Sequence, residues 1–244
     1  MLVENTKPNV AIFLDIDGVL GSNTFPLAES IKVNKIVTEM TGDRYHTFYC
    51  KRCITCSTAQ THLFKTEVVE SLHNLINKIN DIANVHIVIS STWRIDRTIN
   101  DLKQIFQMHE FSKYIFDKTI DIETSFLDWK DHCVYPHVEI NIENCMKQSE
   151  RPDQLPTDDN FEAFIYKNWE CRASQISRWL KEHPEYAGFV IFDDLDEHLS
   201  NNFGNKFIST VHLHETILKS EDTEKAFKSI VDQLALGSDL GRHI

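Results

Sequence analysis

The sequence predicts an α/β fold: a parallel sheet of about five strands with helices on both faces. Three observations predict it. The apolar runs VAIFL (10–14), VHIVI (85–89) and GFVIF (188–192) read as strands buried on both faces of a sheet. Between them, apolar residues recur at three- and four-residue spacing, as expected of amphipathic helices packed on such a sheet. Each run also ends in reactive polar residues: Asp15 and Asp17, Ser90, and Asp193 with Asp194. In open α/β sheets ligands bind beyond the carboxyl ends of the strands, so a site is expected there.

In chain order, residues 1–8 are a polar lead-in and 9–15 form the first strand. Residues 21–64 lack a long periodic pattern; they hold Pro26, a short helical stretch at 27–40 and the cluster CKRCITC. A helix is expected at 66–82, with Val68, Val69, Leu72, Leu75, Ile76 and Ile79 on one face. After the strand at 85–89, Ser91 or Thr92 is the expected cap of a helix carrying Ile95, Ile99, Leu102, Ile105 and Phe106. A third strand is expected at 114–119. Residues 120–165, with Pro136, Pro152 and Pro156, are too long for a plain loop and read as an insertion. A helix at 169–183 turns Ile176, Trp179 and Leu180 inward and ends at Pro184. Strands at 188–192 and 206–211 follow. The last helix, 220–234, has Ser220 as its expected cap, with Glu221, Asp222 and Glu224 complementing its positive end. Strand–helix alternation argues for parallel, right-handed crossovers. The chain reads as a single domain, 1–244, with insertions at about 21–64 and 120–165.

Composition narrows the class. No apolar run approaches the ~20 residues needed to span a bilayer. The N-terminal MLVENTKPNV lacks a basic region followed by an apolar core, so a cytoplasmic location is expected. Net charge is −12, from 25 basic and 37 acidic residues, which disfavours an extended nucleic-acid partner. Six cysteines without a signal peptide read as thiols or metal ligands rather than a disulfide framework.

Asp15 and Asp17 stand two residues apart at a strand end, where two acids repel unless a cation or a shared proton separates them. Magnesium, a hard ion that prefers carboxylate oxygen, suits such a pair. Gly18 allows a sharp turn and close approach to a phosphate. Alone, this D-x-D is better read as a solvated turn; the later motifs shift the reading.

FLDIDGVL, IVISSTWR, the segment CRASQISRWL and FVIFDD, in that order, resemble the four motifs of the haloacid dehalogenase (HAD)-like phosphatase superfamily. The combination of SSTWR, RxxxIxxWL and DD most resembles the HAD domain of Swiss army knife RNA repair proteins. The resemblance implies a Rossmann-like HAD core with cap insertions. It also implies a magnesium-dependent phosphomonoester hydrolase. Asp15 would be the nucleophile that forms an aspartyl-phosphate. Asp17 would be the general acid and then the base; the family's dehalogenases lack this second Asp. Asp15, Asp17 through its carbonyl, and Asp193 or Asp194 would hold magnesium. Ser90, with Ser91 beside it, would bind the phosphate, and Arg172 would balance its charge, with Lys167 and Arg178 as alternatives. Helix caps and solvated helix faces are the competing explanations for these serines and cations.

Other residues remain open. Arg94 is either a second anion contact or a surface partner of Asp96. Trp93 reads as core rather than a base-stacking platform. Cys50, Cys53 and Cys56, with His46, could form a structural zinc site, or be thiols in a loop. Cys133, Cys145 and Cys171 read as packing residues, and His212 and His214 as exposed strand-end histidines in preference to a metal pair. The phosphorylated partner is expected to be a small molecule or a phosphoprotein. The alternatives are a polynucleotide end, which the RNA-repair resemblance favours, and a non-catalytic HAD-fold binding module. A decayed enzyme would usually lose one of Asp15 and Asp17, and both are present.

Overall fold

The computed structural model describes residues 7–21, 27–41, 54–95, 97–119, 172–196, 198–212 and 216–240. Five strands, β1 (Asn9–Leu14), β2 (Asn84–Ile89), β3 (Ile115–Lys118), β4 (Tyr186–Asp193) and β5 (Phe207–Ser209), pair in the order β3-β2-β1-β4-β5. All four pairings are parallel. Strand order reverses between β1 and β4, the switch point where α/β sheets open a crevice.

Val10 to Leu14 are all fully buried, because β1 is central and covered on both faces. Val10, Ile12 and Leu14 face α3 (Thr66–Ile82), α4 (Ile99–Ile105) and α7 (Ser220–Leu240). Ala11 and Phe13 face α5 (Arg172–Glu182) and Leu199 of α6 (Leu199–Phe203). The α/β fold expected from the sequence is therefore present, and α3 has the expected bounds. Among the described residues no helix is long and apolar enough to cross a membrane.

Three local expectations are corrected. No α-helix starts at Ser91 or Thr92; Ser91 does act as a cap, accepting the Trp93 N–H, but of a single 3₁₀ turn, Thr92–Arg94. Helix α4 begins later, behind its own capping box: the Thr98 N–H bonds Asp101 Oδ2 at 2.8 Å and the Asp101 N–H bonds Thr98 Oγ1 at 3.1 Å. Ser220 opens α7 without capping it. There the Asp222 carboxylate reaches back to the Lys219 N–H at 3.0 Å.

The described residues of 21–64, the expected first insertion, form the helices α1 (Leu27–Thr41) and α2 (Ile54–Thr61). Val37, Cys56 and Ala59 form a small core between them. Helix α2, ITCSTAQT, has weak helix formers and no clear periodicity. Tertiary contacts hold it: Arg97 Nη2 donates to Ser57 Oγ at 2.6 Å, and His109 Nε2 lies 3.2 Å from the Thr61 carbonyl. The second insertion, 120–165, lies outside the described residues.

Candidate active site

The site follows from register. Phe13 pairs with Val88 on one side and Ile191 on the other, so these three share the face beneath α5. Two residues further along each strand, on the same face, come Asp15, Ser90 and Asp193. The ladder bonds continue to that level: Asp15 N–H to Phe192 O, Ser90 N–H to Leu14 O and Thr119 N–H to Ile89 O, each 3.0 Å. An apolar row thus gives way to a polar row at the carboxyl ends of three adjacent strands.

The first residue of α5 sits on that row. Arg172 Nη1 lies 3.2 Å from Asp15 Oδ1 and 3.3 Å from Asp193 Oδ2, and it also donates to the Ser90 carbonyl. Arg172 is 7% exposed, Asp15 5% and Asp193 fully buried, so water screens these charges weakly. Arg178, by contrast, is half-buried further along α5, and Lys167 lies outside the described residues. Among the described residues, the Ser90 hydroxyl is buried without a hydrogen-bond partner. Such orphaned groups are rare in folded proteins, and a phosphoryl oxygen would satisfy this one.

Carboxylate oxygens of Asp15, Asp193 and Asp194 lie within 4.8 Å of one another. The set is acidic and all-oxygen, which fits a hard divalent cation such as magnesium. Gly18 makes the cluster possible. It has φ +76°, and a Cβ there would clash with the Asp194 carboxyl group. The turn is held by Gly18 N–H to Gly21 O at 2.6 Å and by the buried Thr210 hydroxyl, which donates to Gly18 O at 2.7 Å.

Asp17 lies on this turn, half-buried. The Trp93 indole N–H donates to Asp17 Oδ2 at 3.0 Å. The sequence placed Trp93 in the core, and it is only 8% exposed, but its polar edge serves the site; the S-S-T-W spacing carried no sign of that contact. Trp93 stacks on Phe106 (5.7 Å, 20°), in an aromatic group with Phe64, Phe111 and His109. Burial pushes the His109 imidazole below its ordinary pKa, so it joins the stack as a neutral ring.

Several residues are placed otherwise than expected. Arg94 is turned inward. It is 3% exposed and donates to the carbonyls of Thr119 (3.1 Å), Ser90 (2.9 Å) and Ser91 (2.7 Å) and to Gln175 Oε1 (2.6 Å). It braces the strand ends. Ser91 alternates away from Ser90 and serves as the turn's cap. Cys56 is packed on Val37 and Ala59, while His46, Cys50 and Cys53 lie outside the described residues. Among the described residues, neither group spaced to hold a metal includes Cys56, so the zinc reading gains no support. His212 is not an exposed strand-end residue. Its Nε2 lies 2.9 Å from Asp222 Oδ2, and its side chain is 14% exposed. With Glu221 3.7 Å from Nδ1, it latches the end of β5 to the start of α7. His214 lies outside the described residues.

A model of the family described as "HAD domain in Swiss Army Knife RNA repair proteins" matches residues 11–222. That span includes Asp15, Asp17, Ser90, Arg172, Asp193 and Asp194. No curated protein and no solved structure gives a significant match to the chain.

Proposed function

The chain belongs to the family of HAD domains in Swiss Army Knife RNA repair proteins, and from that premise we propose a magnesium-dependent phosphomonoester hydrolase working through an aspartyl-phosphate. The observation that supports this reading best is the in-register row of Asp15, Ser90 and Asp193 beneath one buried arginine. An Asp15 carboxylate oxygen attacks phosphorus while the bond to the leaving oxygen breaks, and Asp17 protonates that oxygen. Asp17 then takes a proton from water, whose oxygen attacks the same phosphorus. Inorganic phosphate leaves and Asp15 is restored. Ser90 donates its hydroxyl to a phosphoryl oxygen, and Arg172 offsets the charge gathered on the row. Asp15, Asp193 or Asp194 and the Asp17 carbonyl would hold magnesium, which would offset those negative charges. Under this reading 1–244 acts as one catalytic domain with two insertions.

Purified protein with magnesium is expected to release phosphate from para-nitrophenyl phosphate. Chelation should stop the release, and added magnesium should restore it. Undiminished activity in excess chelator, or no hydrolysis of any phosphomonoester, would sink the proposal.

The substrate we infer is a small phosphorylated molecule or a phosphoprotein. Net charge −12 supports it. So do Arg94 and Arg97, which are turned inward on carbonyls and Ser57 instead of forming a basic track. The family's description favours a second reading, a polynucleotide end. A single strand held through several phosphates loses affinity steeply with salt, each contact adding roughly 0.7 to the log–log slope. We expect a shallow slope of kcat/KM against salt, and near-equal values for a phosphorylated dinucleotide and an oligonucleotide about twelve residues long. A steep slope with strong preference for the longer strand would establish the second reading.

A further inference from the structure

We infer that Trp93 is the positioning residue of the acid–base aspartate: its indole N–H holds the Asp17 carboxylate in the orientation from which a proton reaches the leaving oxygen. The inference rests on the phosphatase reading and deepens it. Asp17 lies on a tight turn and is half-buried, so burial alone does not fix its rotamer. One oxygen is held by Trp93 Nε1 at 3.0 Å across 76 residues of sequence. The indole itself is fixed. Its ring is stacked on Phe106, and the Arg97 guanidinium lies over it, 5.9 Å from the ring centroid. Arg97 Nη1 also donates to the Trp93 carbonyl at 2.9 Å.

The same arginine binds Ser57 of α2 through its Nη2. A continuous chain therefore runs from α2 in the first insertion, through Arg97 and Trp93, to Asp17. Phe64 follows just after α2 and joins the same aromatic group. It lies 6.4 Å from the Trp93 ring, and a Cβ on Gly21, at the end of the Asp17 turn, would stand 3.2 Å from its ring. The insertion thus sets the position of the proton donor as well as packing beside the site.

A group that protonates the leaving oxygen matters more as that oxygen becomes more basic. Trp93→Phe keeps an aromatic ring on Phe106 and removes the N–H together with part of the ring volume, which is why the test reads the ratio of two substrates. We expect kcat/KM for phenyl phosphate to fall about 10- to 100-fold, as for a misplaced catalytic group, with less than about a threefold fall for para-nitrophenyl phosphate. Both substrates are read on one preparation, so their ratio does not depend on the fraction that folds. In an Asp17→Asn background the same change should leave the ratio where it is, because the two residues act as one unit. Equal losses on both substrates, or an effect on the ratio that persists in the Asp17→Asn background, would make Trp93 a core residue and overturn the inference. Wild-type turnover with an unchanged ratio in Trp93→Phe would overturn this assignment alone. A wild type that hydrolyses neither ester would overturn the phosphatase reading and this assignment with it.

Discussion

Asp15→Asn is expected to abolish turnover and leave the fold standing. The amide oxygen cannot replace the carboxylate as nucleophile, so the covalent step is lost. The loss should exceed that of Asp17→Asn, which removes a general acid–base group and slows turnover by ~100- to 10,000-fold. The fold should survive because the Asp15 backbone N–H still bonds Phe192 O. Arg172 also keeps Asp193 at 3.3 Å, and one of the repelling carboxylates becomes neutral. The measurement is phosphate release with saturating magnesium, paired with a thermal melt of the metal-free protein. Near-normal turnover in Asp15→Asn would remove Asp15 from the covalent role.

Arg172→Met should have the largest effect on stability. In the wild type one buried guanidinium faces Asp15 and Asp193 and also binds the Ser90 carbonyl. Methionine fills much of the volume and leaves two buried carboxylates facing each other without that cation. Breaking a buried ion pair from one side destabilises by about 3–5 kcal/mol. In a chain of this size that corresponds to a fall in melting temperature of roughly 6–20 °C. If the same carboxylates bind magnesium, the added ion should recover more of the loss in Arg172→Met than it adds to the wild type. A variant that melts within about 2 °C of wild type without metal would mean that the two carboxylates are not held by this arginine.

The site was legible in the sequence to the extent that it depends on strand ends. A buried parallel strand is a continuous apolar run, and the switch to Asp15, Ser90 and Asp193 occurs at one register level, so the polar row at the strand ends could be read from the chain alone. The same local logic gave α3, whose apolar face repeats through 66–82. It failed at α2, where short polar residues become helical only through packing on α1 and α4. It also failed at 92–98, where the apolar spacing ran through a 3₁₀ turn and hid the capping box that starts α4.

The sequence by itself therefore determined the α/β class, the family motifs and the strand-end acids, because each depends on residues close together in the chain. Tertiary structure decided the direction of each long side chain. Arg94 could have reached substrate, but the strand ends leave the carbonyls of Ser90, Ser91 and Thr119 in a dry place, and a buried guanidinium satisfies them. Arg172 rather than Arg178 meets Asp15 and Asp193 because it opens α5, at the carboxyl end of β1. Trp93 meets Asp17 only once β1 and β2 are paired, since hydrophobic periodicity records which face of a residue is buried and carries nothing about which distant carboxylate its polar edge will find.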